Sequence, residues 1–114
     1  MIDTTKYTSV DVIGATATST AAAATVNAQQ GQITTEALTT AGAATYTFTL
    51  TNTYIKAGSV VLFSVGKGTA TAGALVPTYV TCSAGSCVAI FQNTTAATAV
   101  NGTVTLNFVV FNIA

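Results

Sequence analysis

The chain contains no histidine, no tryptophan and no arginine. Without imidazole, neither a Ser-His-Asp nor a Cys-His nucleophile can be assembled, and the commonest side-chain metal ligand is missing. Charge of either sign is scarce. Lys6, Lys56 and Lys67 balance Asp3, Asp11 and Glu36, giving a formal net charge of +0 with 5% charged residues. Three lysines make no phosphate-tracking groove, so nucleic acid is not an expected partner. Paired-carboxylate catalysis would have to use two acids near the N-terminus and one beside a turn, so we expect no catalytic residue, no metal site and no cofactor. The run of roughly 20 apolar residues that a membrane helix needs is missing too. The apolar runs are short, as in Val60–Phe63, Val88–Phe91 and Phe108–Phe111, so no membrane is expected as a partner. Met1–Lys6 lacks the basic-then-apolar layout of a secretory signal.

What is present is apolar and small. Half of the 114 residues are hydrophobic, and the mean hydropathy is +0.61. Globular domains usually carry about 25% charged residues, so the surface must be built from Thr, Ala, Ser, Asn and Gly. Soluble monomers keep their net charge away from zero to avoid association. A neutral, weakly hydrated surface instead suggests burial against copies of the chain or a larger particle. The length suits one domain with one core.

The clearest signal is Thr45–Asn52, where Tyr46, Phe48 and Leu50 alternate with threonines. A period of two places the large groups on one face of a strand and the hydroxyls on the other. Val61, Phe63 and Val65 alternate with Val60 and Leu62, so that strand is apolar on both faces. Val104, Leu106, Phe108 and Val110 form one face of the last strand, with Val109 and Phe111 on the other. Pro77 places its strand at an edge. Asn101-Gly102 is the strongest turn dipeptide. Glu36–Gly42 is read as a single helical turn capped by Gly42, and Gly66–Gly73 as a long exposed loop. These spacings predict an all-β fold, an antiparallel β-sandwich (jelly-roll-like) of about seven strands. Residues 1–26 are expected to form an N-terminal arm or extended segment, and residues 27–114 the sandwich domain. The expected core is Tyr46, Phe48, Leu50, Val61, Phe63, Val80, Val88, Ile90, Leu106 and Phe108.

Few motifs offer chemistry. Gly66-Lys67-Gly68-Thr69 has the look of a phosphate loop without its spacing. Asn93-Thr94-Thr95 and Asn101-Gly102-Thr103 match the glycosylation sequon, which chance explains in a chain rich in Asn and Thr. Tyr7, Tyr46, Tyr54 and Tyr79 would need common exposure to form a sugar platform. Cys82 and Cys87 flank a Ser-Ala-Gly-Ser turn, either as a loop-stapling disulfide or as two free, partly buried thiols.

The stretch Asn27–Ala41, followed by Tyr46–Asn52, Ser59–Val65, Asn93 and Ala99–Thr103, resembles small β-rich structural proteins of tailed bacteriophages. These are the capsid decoration (cement) and fibre-like virion proteins. The resemblance covers roughly residues 27–112; the cysteine pair within that stretch and the Ala/Thr-rich leader before it are not part of the pattern. It implies a virion protein without enzymatic activity, a homotrimer on the capsid surface, assembled in the host cytoplasm. Its partners would be copies of itself and the major capsid protein. Val109 and Phe111 are the candidate subunit contacts, together with Val10, Val12 and Ile13 of an arm that adds a strand to a neighbouring edge. The alternatives are a tail-fibre or receptor-binding knob touching a host glycan through Gly66–Gly73, and an exported adhesin or pilin-like subunit with an oxidised cysteine pair.

Overall fold

The alternating threonine segment is a strand, and it lies in the middle of one of two stacked sheets. The computed structural model describes residues 14–112. In chain order the strands are β1 (Gly14–Thr18), β2 (Ala23–Thr25), β3 (Gln30–Thr34), β4 (Thr45–Thr51), β5 (Val60–Lys67), β6 (Leu75–Ser83), β7 (Ser86–Asn93) and β8 (Val104–Phe111). They form two four-stranded sheets, β1-β3-β8-β5 and β2-β4-β7-β6, packed as a sandwich. No helix occurs among the described residues. The expected helical turn at Glu36–Gly42 is instead an irregular connection in which Leu38 bridges Gly102.

β7 and β8 form the centre of their sheets; β4 and β6 flank β7 antiparallel, and β3 and β5 flank β8 antiparallel. Six of the seven connections, all but β6–β7, cross from one sheet to the other. Only β6–β7 is a tight hairpin, turning at Ala84-Gly85, where Gly85 takes φ 84°. The sheets are mixed, because β1 runs parallel to β3 and β2 parallel to β4. This corrects the expected count of about seven antiparallel strands: residues 14–25 supply two short edge strands. Their Ala/Thr pattern carries no contrast in size or polarity, so pairing with β3 and β4 decides their conformation.

The β1–β2 corner is a tight turn with positive φ at Ala21 (50°) and Ala22 (62°), closed by reciprocal Thr20–Ala23 backbone hydrogen bonds of 2.9 and 3.1 Å. Hairpin turns of this hand favour Asn-Gly. Two alanines here hold a conformation that L side chains resist, which persists only where the surroundings over-determine it.

The core fills the space between the sheets. Phe48, Leu50, Ile33, Leu106, Ala89 and Phe91 are wholly buried. The rings of Tyr46, Phe48, Phe91, Phe63 and Phe108 form a connected cluster, with Phe63 and Phe91 edge to face at 5.6 Å. Gly31 is required here, since a Cβ would lie 2.8 Å from the Phe108 ring and 2.7 Å from the Ala15 carbonyl.

Most of the expected core is buried or packed against it, but Val88 and Ile90 are not in it. β7 turns Cys87, Ala89, Phe91 and Asn93 inward, leaving Val88 exposed and Ile90 half-buried on the outer face. A one-residue change of phase exchanges the two faces of a strand. In β7 both phases are apolar, and the Phe91 ring decides between them.

Three further expectations are corrected. Gly66 and Lys67 belong to β5. The loop after them is pinned: Thr69 N–H donates to Thr103 Oγ1 (2.9 Å), and Thr71 and Ala72 N–H donate to Asn101 Oδ1 (2.7 and 2.9 Å). Asn101-Gly102 is therefore not a turn but a clamp for that loop. Gly42 caps no helix; it lets the chain approach Thr95–Ala97, whose backbone atoms would stand 2.8 Å from a Cβ. Pro77 does lie in β6 at the sheet edge, beside a bulge between Pro77 and Tyr79.

Candidate functional site

Among the described residues, Lys67 is the only charged one within the eight strands. The two outer faces are therefore neutral, and each can be read from register. On the β1-β3-β8-β5 sheet, Val60 pairs with Phe111, and Leu62 with Val109. These four side chains share the outer face as one apolar stripe. Val60 is 42%, Leu62 55% and Phe111 51% exposed, and Val109 is half-buried. The stripe continues into amides: Gln32 Nε2 donates to Asn107 Oδ1 (2.9 Å), and Asn107 Nδ2 to Ser64 Oγ (3.3 Å). A shallow open groove of about 230 Å³ runs along Leu62, Ser64, Asn107 and Val109. β5 is also an edge strand eight residues long, with no proline or bulge. Among the described residues, a lysine at its end is the only device of the usual kind against edge pairing.

The opposite outer face is hydroxylated. Thr45, Thr47, Thr49 and Thr51 lie beside Gln92, Ile90, Val88 and Ser86. Tyr79 pairs with Ile90 and is 72% exposed. Tyr46 is in the core, Tyr54 is on the β4–β5 connection and Tyr79 is on β6, so these three sit on separate elements and form no common platform; Tyr7 lies outside the described residues.

Both sequence-derived contact residues within the described region, Val109 and Phe111, thus face outward side by side with Leu62 and Val60. The sequence marks β5 as apolar on both faces, but not the register that brings Val60 and Leu62 against β8. Val10, Val12 and Ile13 lie outside the described residues. Cys82 and Cys87 are register partners and both are free thiols. Asn93 is wholly buried and its amide fully engaged, which closes its sequon in the folded chain.

One polar cluster had no sequence signal, because its members come from separate segments. The Glu36 carboxylate accepts hydrogen bonds from the buried Ser19 hydroxyl, from Ala22 N–H (3.0 Å) and from the Tyr46 hydroxyl (3.1 Å). Ser19 Oγ in turn accepts from the Glu36 N–H at 3.2 Å. Partial burial pushes the Glu36 carboxyl up, but the hydrogen bonds outweigh it and hold the group below its usual value. Burial, together with the adjacent carboxylate, keeps the Tyr46 phenol well above its ordinary range and so protonated. Ser19 is 2% exposed and, among the described residues, has no base beyond Glu36 to activate it. The cluster fastens the strained β1–β2 corner to β4.

The cluster has a pH signature. Because the folded carboxyl lies below the unfolded value of 4.5, its contribution is complete above that value and is lost as pH falls through the folded one. Glu36→Gln should cost about 1–2 kcal/mol at neutral pH. The gap from the parent should close as pH falls below 4.5 and through the folded carboxyl's own lower value. Denaturant midpoints of both proteins across that range check it; a gap independent of pH would refute the role given to the carboxylate.

No group of three or more His, Cys, Asp or Glu that would hold a metal ion occurs among the described residues, and no helix there is long and apolar enough to cross a membrane. No protein-family model, no curated protein and no solved structure matches the chain.

Proposed function

We propose that the protein is a non-enzymatic structural subunit that works by burying its uncharged outer sheet faces against other protein. In the setting implied by the resemblance, it is a decoration (cement) protein of a tailed-phage head, a homotrimer bound to major capsid protein at the virion surface. The crossing of six of the seven connections between the sheets supports a jelly-roll-like wrap of the kind such a subunit would use. The observation that carries the proposal is the stripe of Val60, Leu62, Val109 and Phe111, contiguous by register and outward facing. Apolar burial contributes about 25 cal/mol per Å², before the cost of ordering the partners. The stripe has no charge to desolvate, so little opposes that gain. Val10, Val12 and Ile13 remain part of the proposed contact. The fibre-knob alternative is weaker, because the loop it needs is pinned by Asn101 and Thr103.

Sedimentation over a concentration series tests the self-contact. The parent chain should associate, while Leu62→Asp and Phe111→Asp should raise the dissociation constant roughly 30-fold or more, because each places an unpaired carboxylate in a contact centre. Their melting temperatures should stay close to the parent's, since both positions face outward. Co-sedimentation with phage capsids, and imaging of particles with and without the protein, test the setting. A chain that stays monomeric at the highest concentrations and binds no capsid would end the proposal.

A further inference from the structure

Cys82 and Cys87 occupy directly paired positions of the β6–β7 hairpin, one residue pair back from Ser83 and Ser86 at the turn. The Cys87 side chain is wholly buried on the inner face beside Leu50, its register partner on the other side. Cys82 is half-buried and packs against the same core. Its thiol lies against both the Cys87 thiol and the Val61 backbone of β5. Directly opposed antiparallel residues stand about 4.5–5.5 Å apart at Cα, inside the window of about 4.4–6.8 Å that a disulfide requires. The backbone needs no rearrangement to accept the bond. The hairpin tip is also fixed, since Asn52 N–H donates to the Gly85 carbonyl (2.9 Å) and Gly85 N–H to the Ile55 carbonyl (2.8 Å).

We propose that Cys82 and Cys87 are a redox modification site, a thiol pair that a small-molecule disulfide of the glutathione class converts into a cross-strand bond locking the β6–β7 hairpin. Cys82 reacts first because it alone is accessible. Its thiolate attacks the oxidant, forming a mixed disulfide and releasing one thiol. Cys87 then loses its proton and attacks the Cys82 sulfur, forming the protein disulfide and releasing the second thiol. Two protein thiols are oxidised and one external disulfide is reduced to two thiols. Burial, reinforced by the neighbouring Cys82, pushes the Cys87 thiol up to about 12, so the closing step is slow at neutral pH. A subunit assembled under reducing conditions would be locked after release into an oxidising medium.

Incubating the native chain with oxidised glutathione, then alkylating in denaturant and weighing the protein, tests this. The parent should become two hydrogens lighter with no adduct, and melt roughly 5–10 °C higher until reduced. Cys87→Ser should retain one glutathione on Cys82, while Cys82→Ser should stay unmodified over the same time. The proposal is overturned by a parent that keeps both thiols, accumulates a stable glutathione adduct, forms a disulfide-linked dimer, or melts no higher when oxidised. The parent comparison needs no variant to fold.

Discussion

Asn93→Leu is expected to destabilise the protein by about 3–5 kcal/mol, a large part of the stability of a domain this size. The side chain is wholly buried at the end of β7. Its Oδ1 accepts from the N–H of Ala74 (3.1 Å), the N–H of Thr95 (3.1 Å) and the hydroxyl of Thr95 (2.7 Å). Its Nδ2 donates to the carbonyls of Thr40 and Ala41 (both 3.2 Å) and of Thr98 (2.9 Å). One amide therefore serves the β3–β4, β5–β6 and β7–β8 connections at one end of the sandwich. Leucine has similar volume but leaves those backbone groups without partners, and each buried orphan costs about 1–3 kcal/mol. Asn93→Asp separates this from simple packing. It keeps the acceptor and places a carboxylate against three carbonyls, so its folded pKa is raised. Stability should then recover as pH falls through that raised value, opposite in sign to the behaviour of Glu36. Denaturant titrations at several pH values measure both effects; a loss below about 1 kcal/mol for Asn93→Leu would remove the amide's central role.

How much of this was legible in the sequence differs strand by strand. β4 and β8 could be read because their two phases differ: aromatic or branched against threonine in β4, and four large apolar groups against mainly smaller or polar ones in β8. β1 and β2 could not, because Ala and Thr differ too little in volume or polarity for periodicity to show, and parallel pairing leaves no turn signature. Asn101-Gly102 misled because its side-chain amide was better satisfied by the N–H groups of Thr71 and Ala72 than by a local turn. The apolar second face of β5 and the Val109–Phe111 end of β8 were visible as runs without alternation. Their union into one stripe rests on the register Val60–Phe111 and Leu62–Val109, which only the folded chain fixes. The Glu36 cluster was invisible for a similar reason: it joins Ser19, Ala22 and Tyr46 across three segments and needs no spacing rule.

The phase of β7 is the point at which sequence and structure part most sharply, and one pair of substitutions measures it. Phe91→Ala should cost about 3–5 kcal/mol and Ile90→Ala about 1 kcal/mol or less. Hydropathy alone favours the opposite order, since Val88 and Ile90 form the more aliphatic phase. Volume reverses it. The Phe91 ring meets Phe63 at 5.6 Å and 89° and Tyr46 at 6.4 Å and 39°, closing the aromatic cluster between the sheets. On the same phase, Ala89 and Cys87 are small enough to leave room for Phe48 and Leu50 of β4, their register partners. Removing the ring empties a space walled by backbone on both sides, which cannot collapse without moving a sheet. Removing the Ile90 branch uncovers only a half-wet outer face beside Thr47 and Tyr79. Equal costs for the two truncations would mean that β7 is held by its hydrogen bonds alone. A larger cost for Ile90 would place the core on the other side of the strand and turn the outer face described for this sheet inward.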